Sequence, residues 1–385
     1  MEDTDAFDSW QSWLQICLRE LDFGILCHSS CGAHGQRGDT RPSLGPVEME
    51  DSEARLEAAR LALHACQKTD WPAELRRGYM HAALVYALVR VKEKTEDAAR
   101  TILHALDKII LLAGLPACQK GVHVIIQAIQ DWLYAKHPPP HLSASRRQRL
   151  LSLKVDAQER NVFRRYKTPP SLMAFKRDHM DTGMPCVMEG ALSSWPALRA
   201  WEDLEQVLFR IGRDRLVPVE IGGKYTDEDW TQTLMPLGEF IKKFIEPETP
   251  AVPLGYIAQH ALHEQAPALG TQYFIPDYCA LHPDQKIAQH FWLGPSGTVS
   301  PPHTDPQENL FAQVVGVKEV LLWAPEAPMY PFPYGSMLSN TSQVADPYAV
   351  DNDAFPDFSM DKAMHFIVKP GDLLYIPRGW WHYVR

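Results

Sequence analysis

Three residues could do chemistry together: His303 and Asp305, with one residue between them, and His382 near the end of the sequence. His-x-Asp with a distant His is the ligand set of the 2-His-1-carboxylate facial triad, which binds Fe(II) and leaves positions open for substrate and oxygen. In a β-strand, residues i and i+2 point to the same face, so a strand through 303–305 would aim both side chains at one metal. The third ligand must come from another strand, and His382 closely follows one.

A His-x-Asp pair alone is common by chance, so its neighbours have to carry the argument. Phe291-Trp292-Leu293 reads as an apolar strand, followed by a Gly/Pro-rich turn that leads into His303. After Asn309 comes the alternating run Leu310–Val315, a turn at Gly316, and the strand-like Lys318–Trp323. Lys318 shares parity with Val320 and Leu322. A lysine on the apolar face of a strand needs an anionic partner or must lose its charge; the alternative is a lysine at a strand start that snorkels to solvent. Beside an Fe(II) triad the first reading is preferred, because 2-oxoglutarate carries a distal carboxylate that needs such a cation.

Phe366-Ile367-Val368 and Asp372–Pro377 read as two more strands, joined by a tight turn at Lys369-Pro370-Gly371-Asp372. Pro377-Arg378-Gly379 breaks the second strand, and Trp380-Trp381-His382 follows. This run resembles the distal-histidine segment of Jumonji-C (JmjC) oxygenases, a family built on a double-stranded β-helix with Fe(II) and 2-oxoglutarate. The resemblance extends back through Tyr166–Ser171, Phe175, Gly183–Ala191, Trp195-Pro196 and Trp201. It also takes in Val217–Gly222, Tyr225–Trp230, Gly255–His260 and Ile275–Cys279, so that it covers residues 155–385.

The resemblance implies roles. His303, Asp305 and His382 would ligate Fe(II) as the catalytic centre, and O2 would take the remaining position. The distal carboxylate of 2-oxoglutarate would meet Lys318, with Tyr256 and Asn309 lining the same pocket and Ser300 beside them. Glu220, Trp230 and Trp292 are candidates for the substrate pocket, since a carboxylate and aromatic faces suit a guanidinium. The competing reading makes Trp230 a core residue and Glu220 an exposed strand residue. The implied activity is C-3 hydroxylation of arginine in protein substrates, in a nuclear, chromatin and cell-cycle setting, with the cytoplasm as a second location. Histone methyl-lysine demethylation or histone-tail cleavage by the same centre, and a catalytically weak chromatin adaptor, are the alternatives.

The elements that would hold these residues are legible in outline. A chain of 385 residues suggests about two domains. The expected fold class is α+β: an N-terminal helical bundle followed by a double-stranded β-helix (jelly roll, cupin-like) JmjC domain. The expected boundaries are an N-terminal segment and mobile loop over 1–50, a helical domain over 51–137, a linker over 138–165 and the JmjC domain over 166–385. An amphipathic segment holds Trp10, Trp13, Leu14, Cys17, Leu18 and Leu21. Three later stripes have helical spacing: Leu84/Ala87/Leu88/Val91, then Ile102/Leu106/Ile109/Ile110/Ala113, then Val122/Ile125/Ile126/Ile129/Trp132/Leu133.

Composition narrows the function classes. The net charge of −10 gives no global reason to expect direct nucleic-acid binding and suits a basic, arginine-containing protein or peptide substrate such as a histone tail. No apolar run reaches the roughly 18 residues of a membrane span, and the acidic N-terminus lacks a signal-peptide n-region. Seven scattered cysteines argue for a reducing compartment rather than a disulfide framework. Cys27, His28, Cys31 and His34 match no strong zinc spacing. Arg146, Arg147, Arg149, Arg160, Arg164, Arg165 and Lys167 form a basic stretch that reads as solvated linker, as a nuclear import signal or as a contact for an acidic partner. The sequence stops at Arg385, shortly after the last expected ligand. Here the resemblance implies a missing final strand, an exposed sheet edge, weakened iron binding and a tendency to aggregate.

Overall fold

The computed structural model describes residues 3–29, 49–65, 72–114, 119–137, 164–222, 230–247, 253–282, 286–336 and 338–385. The chain forms two compact units. One holds residues 1–140 with Gly212–Leu216 and Pro236–Gly238; the other holds the remainder.

The first unit is helical: α1 (Asp3–Ser29), α2 (Met49–Ala65), α3 (Ala73–Arg90), α4 (Glu96–Lys108) and α5 (Gln119–Lys136). Its core collects the expected stripes. Leu84, Ala87, Val91, Ile102, Leu106, Ile109, Val122, Ile125, Ile129 and Leu133 are buried together, with Leu88 and Ile110 partly buried against them. Phe7, Trp10, Leu14, Cys17, Leu18 and Leu21 of α1 join the same cluster. The N-terminal segment is therefore built into the helical core, with Phe7, Trp10 and Trp132 packed ring to ring at 4.5–5.5 Å. Trp13, at the edge of that stripe, is exposed. The Thr95 side chain caps α4 by accepting from the Ala98 N–H at 3.1 Å.

The second unit is made of strands β1 (Arg165–Tyr166), β2 (Cys186–Met188), β3 (Leu216–Ile221), β4 (Thr231–Pro236), β5 (Gly255–His260) and β6 (Phe291–Leu293). They are followed by β7 (Ser300–Thr304), β8 (Asn309–Ala312), β9 (Lys318–Trp323), β10 (Met364–Val368), β11 (Leu373–Ile376) and β12 (Trp381–Val384). One sheet runs β1-β2-β11-β8, a second β10-β9-β12-β7 and a third β4-β3-β5-β6. Residues from the first two sheets share one core: Val187, Leu374 and Ile376 from one, and Val320, Leu322, Phe366, Val368 and Val384 from the other. On β9 the period of two sends Leu321 and Trp323 to the opposite face, where they pack with Met329, Trp381 and Tyr383. The fold is thus α+β, with a helical N-terminal region and a largely antiparallel, jelly-roll-like C-terminal region.

The turn at 369–372 closes with the Asp372 N–H donating to the Lys369 carbonyl at 2.9 Å, and Gly371 takes φ +95° there. Arg165 does not behave as part of a solvated basic stretch. Its guanidinium donates to the Ile367 carbonyl at 2.8 Å and pairs with Glu189 and Asp372, so it ties strands together. Arg146, Arg147, Arg149 and Arg160 lie outside the described residues, as do Cys31, His34 and the side chains of Cys27 and His28. Among the described residues, no helix is long and apolar enough to cross a membrane.

Leu374 is fully buried between the two sheets. Leu374→Ala is expected to destabilise the strand-rich unit by about 2–5 kcal/mol, through lost transfer energy and the cavity left behind. Urea unfolding would measure it, and a cost below about 1 kcal/mol would contradict this placement of the core.

Candidate functional site

His303 and His382 are opposite one another in the antiparallel pairing of β7 with β12. Their rings stand 4.0 Å apart between centroids. Asp305 follows the end of β7, and its Oδ2 lies 3.6 Å from His382 Nε2. One ligand atom from each of the three residues falls within 4.8 Å of the others, the one such group of three metal-ligating side chains among the described residues. His382 lies inside β12, where the sequence places it just beyond a strand.

The two imidazoles are oriented in the same way. His303 Nδ1 meets the Pro301 carbonyl at 2.8 Å, and His382 Nδ1 meets the Trp380 carbonyl at 3.0 Å. A carbonyl can only accept, so each Nδ1 carries a proton, and Nε2 is the ring nitrogen left to face a metal. Burial, and then the neighbouring His303, push His382 far below the ordinary histidine range. It is therefore neutral at physiological pH, which is the state a metal ligand needs. Asn309, opening β8, donates to Asp305 Oδ2 at 3.2 Å and fixes that carboxylate.

Behind this group lies a polar pair. Lys318, first residue of β9, donates from Nζ to the Tyr256 hydroxyl at 3.1 Å and sits 5.2 Å from the centre of its ring. Burial pushes Lys318 down to about 8 and Tyr256 well above its ordinary range. Among the described residues, no carboxylate pairs with Lys318, so its ammonium is desolvated and uncompensated. Gly294 makes room for the tyrosine, since a Cβ there would lie 2.4 Å from Tyr256 Cδ2.

Across the β3–β5 pairing, Glu220 is opposite Tyr256. Its Oε2 accepts from Trp230 Nε1 at 3.4 Å, and burial raises its carboxyl above the usual range. Glu220 is thus a partly buried residue of the cavity wall rather than an exposed strand residue. Trp292 is 40% exposed and faces His290, with ring centroids 6.1 Å apart. One cavity is lined by all ten expected residues: the three candidate ligands, Tyr256, Ser300, Asn309, Lys318, Glu220, Trp230 and Trp292. Residues 223–229, which hold most of the Tyr225–Trp230 motif, lie outside the described residues. His365, on β10, pairs with Glu319 at 2.8 Å instead of joining the triad.

Gln232 was not anticipated. It lines the same cavity, and its side chain acts against the burial that raises the Glu220 carboxyl. It lies two residues from Trp230 and so shares its parity, which is the signal that could have found it.

Residues 172–385, more than half of the chain, match the cupin-like domain family, and the chain belongs to that family. Within it, the similarity is to JmjC proteins. The chain is 43% identical to lysine-specific demethylase 8 of Xenopus tropicalis over 220 residues, covering 56% of this chain and 48% of that protein. It is 37% identical to Jumonji C domain-containing protein 5 of Drosophila melanogaster over 222 residues, covering 56% and 55%. It is 26% identical to the human bifunctional peptidase and (3S)-lysyl hydroxylase JMJD7 over 257 residues, covering 56% and 78%. The chain spans about half the length of the first two relatives.

The lysine makes a prediction with a definite sign. Because burial lowers Lys318 from 10.5 to about 8, the folded chain binds fewer protons than the unfolded chain between those values. The desolvation cost is then fully present below about pH 8 and is relieved as pH rises toward 10.5. Lys318→Met should raise the melting temperature at pH 7 and flatten its rise between pH 8 and 10.5. A melting curve at pH 7 no higher than wild type would contradict a desolvated, unpaired ammonium.

Proposed function

We propose that this chain is an Fe(II)- and 2-oxoglutarate-dependent protein oxygenase that hydroxylates arginine side chains, at C-3, in protein substrates. The observation that carries this reading is the donor set itself. Two imidazoles, each with Nδ1 turned to a backbone carbonyl, stand beside one carboxylate, and a desolvated lysine without an anionic partner among the described residues lines the same cavity. Two nitrogens and one carboxylate oxygen suit a facial Fe(II) site with open positions.

When bound, the iron and 2-oxoglutarate together supply oxidation of a C–H bond by O2, with the keto acid leaving as succinate and carbon dioxide. The protein's own part is to bind, orient and exclude water. His303, Asp305 and His382 hold the metal, and the Pro301 and Trp380 carbonyls keep both imidazoles in the ligating tautomer. Lys318 and Tyr256 receive the far carboxylate of 2-oxoglutarate. That contact supplies the missing counter-charge, which a dicarboxylate can do and a neutral ligand cannot. Asn309 steadies Asp305, and Ser300 completes the wall of the same cavity.

At the substrate end, Glu220 offers a carboxylate oriented by Trp230, and the two tryptophans offer ring faces. A guanidinium pairs with carboxylates through two parallel bonds and stacks on aromatic rings. The acidic chain also favours a basic protein substrate such as an arginine-containing histone tail, and a nuclear, chromatin-linked role fits such a partner. The name of the Xenopus relative favours a second reading, methyl-lysine demethylation by the same centre.

The test is succinate formation from 2-oxoglutarate by the chain loaded anaerobically with Fe(II), then given O2 and arginine-containing or methyl-lysine peptides. Asp305→Ala should lose at least about 100-fold, more than loss of an outer partner of a ligand would cost. Gain of one oxygen atom on arginine supports hydroxylation. Loss of methyl with release of formaldehyde would replace it with demethylation, and turnover unaffected by Asp305→Ala would overturn both.

A further inference from the structure

The β7–β12 ladder sets His303 opposite His382, but Asp305 and the turn that leads into His382 lie beyond its end. Residues 305–308 leave β7 of one sheet and enter β8 of the other, and residues 377–380 pass in the opposite sense from β11 to β12. Both are crossings between sheets, and outside the ladders they are joined by single hydrogen bonds. Asp305 sits in the first crossing, and the second leads directly into His382.

Glu308 joins the two. Its Oε2 accepts the Tyr375 hydroxyl at 2.5 Å and the Arg378 backbone N–H at 3.3 Å. The reverse bond runs from the Gly379 N–H to the Asp305 carbonyl at 2.9 Å. Gly379 takes φ +77°, a conformation that glycine adopts without the cost of a Cβ. Tyr375 is itself immobilised, fully buried with its ring packed 5.0 Å from Phe175. Burial and the nearby carboxylate push its hydroxyl upward, so it stays a donor.

Building on the metal-centre reading above, we infer that Glu308 is a positioning residue: it clasps the turn bearing Asp305 to the turn leading into His382, so that both ligands meet one metal ion. Glu308 lines the same cavity but is not one of the ligands. Its effect passes through Asp305 on one side and through the backbone of the 377–380 turn on the other. Both hydrogen bonds fall on one oxygen, so a glutamine whose amide oxygen takes that place would keep them, whereas alanine would lose both.

The experiment is a Co(II) titration of the full chain, followed through the visible absorption of the bound ion, with melting temperature measured alongside. Glu308→Ala should weaken Co(II) binding by about tenfold or more and shift the absorption band, the scale seen for lost outer partners of metal ligands. Tyr375→Phe, which keeps the buried ring, should shift both in the same direction. Glu308→Gln should stay near wild type. Should Glu308→Ala fail to fold, Tyr375→Phe and Glu308→Gln still decide the matter. A lowered melting temperature with Co(II) affinity and spectrum unchanged in the variants would mark Glu308 as merely structural and overturn the inference. Wild-type chain that takes up no Co(II) would sink the metal-centre reading and the clasp with it.

Discussion

The antiparallel pairing of β7 with β12 is the constraint on which the site depends. It sets His303 opposite His382, and residues directly opposite in such a ladder have their side chains within reach of each other. A slip of one residue would turn every side chain of β12 to the other face of the sheet. His382 would then leave the cavity, and Val384 would leave the core it shares with Val320, Leu322 and Phe366. The register that fills the core is therefore the register that brings the two candidate histidine ligands together. Each histidine also finds its tautomer-setting carbonyl two residues back, at Pro301 and Trp380. The same short device is used on both strands.

Desolvation governs the rest of the cavity. It pushes Lys318 and His382 down and Tyr256 and Glu220 up, in each case toward the neutral form. Tyr256 stands between the two chargeable ends: it accepts from Lys318 and lies opposite Glu220 in the β3–β5 ladder. One end therefore gains from an anion and the other from a cation. Such an arrangement is costly when empty and is repaid by ligands of opposite charge, which is a common property of binding sites and a rare one of cores.

The helical unit has its own core, in which α1 contributes as fully as the later helices. Its helices α1–α5 lie outside the region that matches the cupin-like family. Its stripes are ordinary packing surfaces, and the aromatic cluster of Phe7, Trp10 and Trp132 joins the first helix to the last.

Much of this was legible from residue order, because the signals are local. His303, Asp305 and His382 stand out by type and spacing, Lys318 by its parity with Val320 and Leu322, and the 369–372 turn by its Pro-Gly-Asp composition. Helical stripes and strand alternation follow from periods of 3.6 and 2, which any sequence displays directly. Other features were hidden because they depend on partners remote in the chain. Arg165 reads as one more basic linker residue until Asp372 and the Ile367 carbonyl come alongside it. Glu308 carries no signal of its own in the sequence, and its partners Tyr375 and Arg378 come from another strand and turn. Glu220 reads equally as a pocket residue or as an exposed strand residue until Trp230 and Tyr256 come alongside it. Residue types thus named the candidate ligands, while the sheet-to-sheet crossings decided which groups meet them. A ladder or a crossing joins residues by non-local hydrogen bonds, and no local period encodes the identity of the partner.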